Sequence, residues 1–174
     1  VSSLNSYKGV DPSRVDGQRL LDAGTVEFAA GTRLDLSKSM GFKNSVMYCV
    51  APIVLGDFPP AVYDFWAVGT DCCSEHSADF ACGEYDNPDA RSGLRLTSTS
   101  QKEYYALAVE QAEATYGVKA SNPVFMTWMQ DPDLEVGQYW TDATRFFALV
   151  AILYGLFQAA LVAGMLTVLS KLGW

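Results

Sequence analysis

Residues 146–170 read FFALVAILYGLFQAALVAGMLTVLS, an uncharged run near the C-terminus. As a helix rising about 1.5 Å per residue it would span roughly 37 Å, enough to cross a hydrocarbon core of about 30 Å with some tilt. Thirteen of these residues are Leu, Ile, Val or Phe, worth about −4 to −8 kcal/mol toward insertion at roughly −0.3 to −0.6 kcal/mol each. Arg145 and Lys171 bracket the run, with Trp140 and Trp174 just outside. Snorkelling cations and interfacial aromatic rings anchor such spans. The chain therefore reads as a membrane protein with one visible transmembrane helix. The divisions expected are an extended arm over 1–20, a folded domain over 21–140, and the helix with its tail over 141–174.

Charge narrows the function. Before the span the chain has 11 basic and 20 acidic residues, since Lys171 alone of the 12 cations follows it, giving −9. Nucleic acid needs a basic face, so it is excluded as a partner. Docking of the polar domain on anionic lipid is disfavoured for the same reason. Residues 1–20 hold no apolar run and begin with Val1. Two expectations for what precedes Val1 stand side by side, a targeting segment that is removed or a second transmembrane helix.

The region before the span predicts an α+β fold: a small antiparallel sheet with one packed helix. Thr25–Phe28 and Arg33–Leu36 alternate apolar and polar residues and predict a hairpin. Ser45–Leu55 and Val62–Thr70 predict further strands. Pro52 inside the first of them calls for an edge or a bulge. Asp71–Arg91 is a long loop, and Leu94–Thr97 adds a short strand. Ser100 and Glu103 have the spacing of a capping box. The stripe Tyr105, Ala108, Val109, Ala112 and Tyr116 predicts a helix that Gly117 ends. Pro123–Met129 predicts a last strand, and Asp131–Pro132 a helix start at the membrane surface.

Cys49, Cys72, Cys73 and Cys82 are the four cysteines. Adjacent cysteines bridge only through a strained ring, so Cys49 is expected to join one of the Cys72–Cys73 pair and Cys82 the other. Two disulfides imply an oxidising compartment and place the polar domain on the lumenal or exoplasmic side. The rival use is zinc, with His76 among the ligands, but the paired C-x₂₋₄-C spacing is missing and no metal site is expected. The acidic residues of the same loop do not follow the order of a calcium-binding EF-hand. No serine-hydrolase elbow, phosphate loop, dinucleotide fingerprint or HExxH occurs, so the chain is expected not to be an enzyme. The competing readings are a thiol-redox or metal enzyme on the Cys72–Cys82 loop, and an acidic docking domain for a basic electron carrier.

The span itself has a face. Ala151, Gly155, Ala159 and Ala163 recur every fourth residue, a stripe that lets another helix approach closely. Gln158 stands near the middle, where an amide needs a partner. It can bond a neighbouring helix, or its carbonyl can ligate the magnesium of a chlorophyll.

The phrases YCVAPIV (Tyr48–Val54), FWAVGTDCC (Phe65–Cys73), CGEYDNPDARSGLRL (Cys82–Leu96) and WMQDP (Trp128–Pro132) resemble a family of dinoflagellate and related algal membrane proteins. The resemblance runs over about residues 7–170. It implies a plastid thylakoid protein, an auxiliary subunit of photosystem I among chlorophyll-binding antenna proteins, and the lumen is then the oxidising side on which the expected disulfides put the N-terminal domain. It assigns no cofactor to this chain with certainty, and it allows chlorophyll, carotenoid or lipid contacts along the helix. It supplies no catalytic residues.

Overall fold

The computed structural model describes residues 4–57, 59–75 and 78–173. The chain divides into two units, 1–132 and 133–174. The first unit is α+β. Its strands are β1 (Asn5–Val10), β2 (Ala23–Phe28), β3 (Thr32–Leu34), β4 (Met40–Asn44), β5 (Val46–Leu55), β6 (Phe65–Thr70), β7 (Ser92–Arg95) and β8 (Val124–Met129), with helix α1 (Thr99–Tyr116) before β8. They form one sheet in the order β1-β2-β7-β8-β6-β5-β3, with β4 also on β5.

The sheet is mixed, where an antiparallel one was expected. β1 pairs parallel with β2, and β6 parallel with β8. Parallel neighbours need a connection of about a dozen residues or more. Residues 11–22 supply the first, with a single 3-10 turn at Gly17–Leu20. The second runs through the long loop, β7 and α1. Within the expected extended arm, Asn5–Val10 is a strand of the sheet. β1 is polar because it is an edge strand with most of its side chains in water.

The hairpin expected between Thr25–Phe28 and Arg33–Leu36 does not form. β2 lies between β1 and β7, while β3 lies at the far end of the order on β5. Only residues 29–31 link them, and four Cα steps reach at most about 14 Å. The sheet therefore coils far enough to bring the start of β3 within about 14 Å of the end of β2. The tight hairpin is instead β4–β5, turned by Ser45 at φ 62°.

Coiling gives every central strand two covered faces, which explains why β5, β6 and β8 read as continuous apolar runs. Inside the coil lie Phe28, Leu34, Ala51, Ile53, Phe65, Ala67, Met126 and Trp128. Phe65 meets Phe28 edge-on at 5.5 Å between ring centroids. The alternate residues Tyr48, Val50, Trp66, Val68 and Phe125 face outward, under Tyr105, Ala108, Val109 and Ala112 of α1. The buried indole N–H of Trp66 donates to the Tyr63 carbonyl at 2.7 Å. Burial drives the Tyr105 hydroxyl up to about 12.

Helix α1 ends as expected, with Gly117 left-handed at φ 67°. Its start differs: Ser98, not Ser100, is the N-cap, and no side-chain cap bond forms there. Thr97, Ser98, Thr99 and Ser100 are all residues that can cap, so composition alone does not choose among them. Pro52 is not on an edge strand, since β6 pairs with β5 throughout its middle. On the opposite side β4 pairs with Val46–Val50 and β3 with Ile53–Leu55. Pro52 falls between those partners, where the amide hydrogen it lacks is not needed, and its carbonyl accepts from Asp35 N at 2.9 Å.

Helix α2, Pro132–Lys171, runs uninterrupted through Gly137 and makes up most of the second unit. Residues 133–140, expected in the polar domain, belong to this helix. Pro132 opens it, Asp133 and Glu135 occupy its first turn and Lys171 its last, all favourable to the helix dipole.

Candidate functional site: a stapled loop and an apolar helix

The loop between β6 and β7 is built around two bridges, Cys49–Cys73 and Cys72–Cys82. Sequence reasoning left the pairing of Cys49 open between Cys72 and Cys73, and the structure selects Cys73. Every cysteine is used. The sulfurs of Cys49, Cys72 and Cys82 lie within 4.8 Å of one another, yet all three are bridged and offer no thiolate to a metal. His76, the other proposed zinc ligand, lies outside the described residues.

The seat of these bridges is a trough made by two glycines. Cys49 on β5 is paired with Gly41 on β4 and with Gly69 on β6. A Cβ on Gly69 would stand 2.5 Å from Cys82 Cβ, 2.7 Å from Cys82 Sγ and 2.8 Å from Cys72 Sγ. A Cβ on Gly41 would meet Ser74 O at 2.5 Å and Cys73 Sγ at 2.9 Å. One bridge thus rests over each glycine, on either side of Cys49. Gly41 and Gly69 were missed by sequence reasoning. Their signal, a glycine inside an apolar strand, marks close approach of another chain segment, but not which segment.

The acidic side chains of the loop tie its own backbone. Asp71 and Met47 exchange two bonds, Met47 N to Asp71 Oδ1 at 3.0 Å and Asp71 N to Met47 O at 2.9 Å. Asp79 Oδ1 accepts from Ser74 N at 2.9 Å, inside the ring closed by the bridges. Glu84 accepts from Asn87 Nδ2 at 2.6 Å and from Gln130 N at 3.2 Å, fastening the loop to the end of β8. Much of the loop's charge therefore has an internal role.

The Asp79 carboxyl is held below the usual carboxylate range, first by the Ser74 backbone N–H and then by the Ser74 side chain. Asp11 is held low chiefly by the Ser13 hydroxyl. A depressed folded-state value gives stability present above the unfolded value of about 4 and lost as pH falls through the folded one. The melting temperature is expected to fall between about pH 4 and pH 2. The gap between wild type and Asp79→Ala should close over the same range, as measured by thermal melts at stepped pH. A gap constant down to pH 2 would show that Asp79 does not act through its charge.

Two shallow grooves mark the surface of this unit. One, of about 160 Å³, has Arg33, Asn87 and Trp128 in its wall. The other, of about 190 Å³, is bordered by Val15, Asp64 and Ser121. Arg33 is paired with Asp57 at 3.0 Å, and Asp64 spends both oxygens on backbone N–H groups. Among the described residues, neither groove brings a base to a nucleophile.

No protein family, curated protein or solved structure matches the chain.

In α2, residues Thr141–Leu169 form a helix long and apolar enough to cross a membrane, with mean hydropathy 2.2 and nothing in that stretch buried within the chain. Ala151, Gly155, Gln158, Ala159 and Ala163 are all helical and exposed. At 100° per residue, steps of four keep Ala151, Gly155, Ala159 and Ala163 on one slowly turning stripe. A Cβ on Gly155 would meet nothing within 4 Å. Arg145 lies inside the helix and Lys171 at its last residue. Trp140 belongs to the helix, but its side chain, like Trp174, lies outside the described residues.

Proposed function

We propose that the chain is a non-catalytic, single-pass subunit of a membrane complex, docked by α2 and covering the lumenal side with its stapled domain. The observation that carries this reading is an apolar helical surface from Thr141 to Leu169 that the chain itself leaves uncovered. Lipid tails solvate such a surface, and the stripe of small residues offers a second helix a close approach that packing rewards. The two disulfides support an oxidising, lumenal environment for residues 1–132. The resemblance to algal membrane proteins supports photosystem I with its chlorophyll-binding antenna as the host. In that setting Gln158 bonds a neighbouring helix or ligates a chlorophyll, and lipid or carotenoid fills the remaining helix surface.

The test is purification of the native complex in mild detergent, followed by subunit quantification. The chain is expected at fixed stoichiometry with photosystem I and antenna subunits. Replacing Gly155 by Leu fills the stripe and is expected to reduce co-purification roughly tenfold, equivalent to about 1.4 kcal/mol, while the chain still fractionates with membranes. A chain that runs alone, or that co-purifies unchanged after Gly155→Leu, would sink the docking role of the stripe. Protease treatment of sealed thylakoids tests orientation, since a lumenal domain is protected until the membrane is opened.

A further inference from the structure

The two bridges are close enough to exchange partners. Cys49 is bonded to Cys73 and Cys72 to Cys82, yet the sulfurs of Cys49, Cys72 and Cys82 share a sphere in which no pair is more than 4.8 Å apart. Cys49 is 0% exposed and Cys82 4%. Cys72, like Cys73, is half-buried, so a thiol arriving from solvent meets the Cys72 end of the Cys72–Cys82 bridge before the Cys82 end. Cys82 Cβ lies 2.5 Å from the point where Gly69 would carry its own Cβ, and Gly69 is the register partner of Cys49. Directly opposed Cβ positions on antiparallel strands are about 4.5–5.5 Å apart. These two distances together leave Cys82 Cβ between about 2 and 8 Å from Cys49 Cβ, a range that includes the roughly 3.5–4.5 Å between the Cβ atoms of a disulfide.

We propose that Cys72–Cys82 is a thiol–disulfide exchange site for a soluble dithiol, and that its reduction moves the surviving bridge from Cys49–Cys73 to Cys49–Cys82. The dithiol's thiolate attacks Cys72 Sγ. A mixed disulfide forms, the Cys72–Cys82 bond breaks, and the electron pair leaves on Cys82 Sγ. That thiolate is buried, and burial destabilises it. It attacks Cys49 Sγ, forming Cys49–Cys82 and expelling Cys73 as a thiolate that takes up a proton in the half-buried loop. The dithiol's second sulfur then attacks its partner in the mixed disulfide and releases Cys72, which is protonated in turn. Two electrons and two protons pass from the dithiol, which departs as a disulfide. The protein keeps one bridge and gains two adjacent thiols, Cys72 and Cys73, on its surface loop.

Proximity favours the internal step, because it replaces a bimolecular encounter with one between groups already in contact range. The acidic loop slows the approach of an anionic thiolate, so the natural co-reactant is a dithiol protein able to dock on that loop. The inference does not rest on the identity of the host complex.

The experiment treats the full chain in mild detergent with one molar equivalent of dithiothreitol, blocks thiols with N-ethylmaleimide, digests at aromatic residues and identifies the linked peptides by mass spectrometry. The expected major product has the Cys49 peptide joined to the Cys82 peptide, with two maleimides on the peptide that carries Cys72 and Cys73. A Cys49 peptide still joined to the Cys72–Cys73 peptide, with one maleimide there and one on Cys82, overturns the proposal. Resistance of both bridges to one equivalent overturns it as well. A second arm needs no reductant. Cys72→Ala leaves Cys82 as a thiol, and the chain is expected as a mixture of Cys49–Cys73 and Cys49–Cys82 forms. Detection of Cys49–Cys73 alone overturns the proposal, and if this variant does not fold the wild-type arm decides.

Discussion

Replacing Gly69 by Ala is expected to lower the stability of the 1–132 unit by about 3 kcal/mol, at the upper end of what overpacking costs. The added methyl would sit 2.5 Å from Cys82 Cβ and within 2.8 Å of two bridged sulfurs. Those atoms cannot swing aside as a free side chain would. Cys82 is tied to Cys72, and Cys72 is the covalent neighbour of Cys73, which is tied to Cys49 on the adjacent strand. Either the bridge or strand β6 must move. For a unit of this size the loss corresponds to a fall of roughly 10 °C in melting temperature. Gly56→Ala is the control. Its site has φ +67° with nothing within 4 Å, so the cost there is backbone strain alone, about 1–2 kcal/mol. A loss at Gly69 no larger than at Gly56 would show that the trough does not seat the bridge. A cycle sharpens the result. With Cys72→Ala and Cys82→Gly in place, the obstructing atoms are gone, and Gly69→Ala should cost less than about 1 kcal/mol.

That trough marks the boundary of what the amino-acid order alone makes legible. Features written in consecutive residues were readable: the left-handed stop at Gly117, the strand through Phe125, the helix start at Pro132 and the apolar run of α2. Each depends on local geometry or on the period of burial. The cysteines announced their bridges, but the choice between Cys72 and Cys73 depends on which faces Cys49 across the trough. Pairings between distant strands were not readable. Thr25–Phe28 and Arg33–Leu36 have the pattern of a hairpin, yet β2 pairs with β1 and β7 while β3 pairs with β5 at the far end of the strand order. Asn5–Val10 looks like a polar arm because an edge strand buries little. Side chains on α2 were readable as a stripe, whereas what covers the stripe is a property of another molecule.

Asp64 was equally invisible, and its replacement by Ala is expected to cost about 3–5 kcal/mol, among the largest effects of a single substitution. It precedes β6 and is 4% exposed. One carboxylate oxygen accepts from Gly17 N at 2.9 Å. The other accepts from Ser121 N at 2.9 Å and Asn122 N at 3.0 Å. Its backbone carbonyl also accepts from Val124 N at 2.7 Å. The residue thus joins the crossover between β1 and β2 to the segment that leads from α1 into β8. Both are irregular stretches whose N–H groups have no ladder to enter, and a buried N–H left without an acceptor costs about 1–3 kcal/mol. Alanine orphans three of them at once. Asparagine is the more searching change, because its shape is nearly the same. Only one of its two terminal atoms accepts, so whichever way the amide turns, its NH₂ faces a backbone N–H. Asp64→Asn is therefore expected to cost at least half as much as Asp64→Ala in chemical denaturation. A near-neutral asparagine would mean that shape, not the count of acceptors, is what position 64 supplies. The expected order, wild type well above asparagine and asparagine modestly above alanine, follows from donors converging on one point from two distant segments, the same kind of long-range convergence that seats the bridges over Gly41 and Gly69.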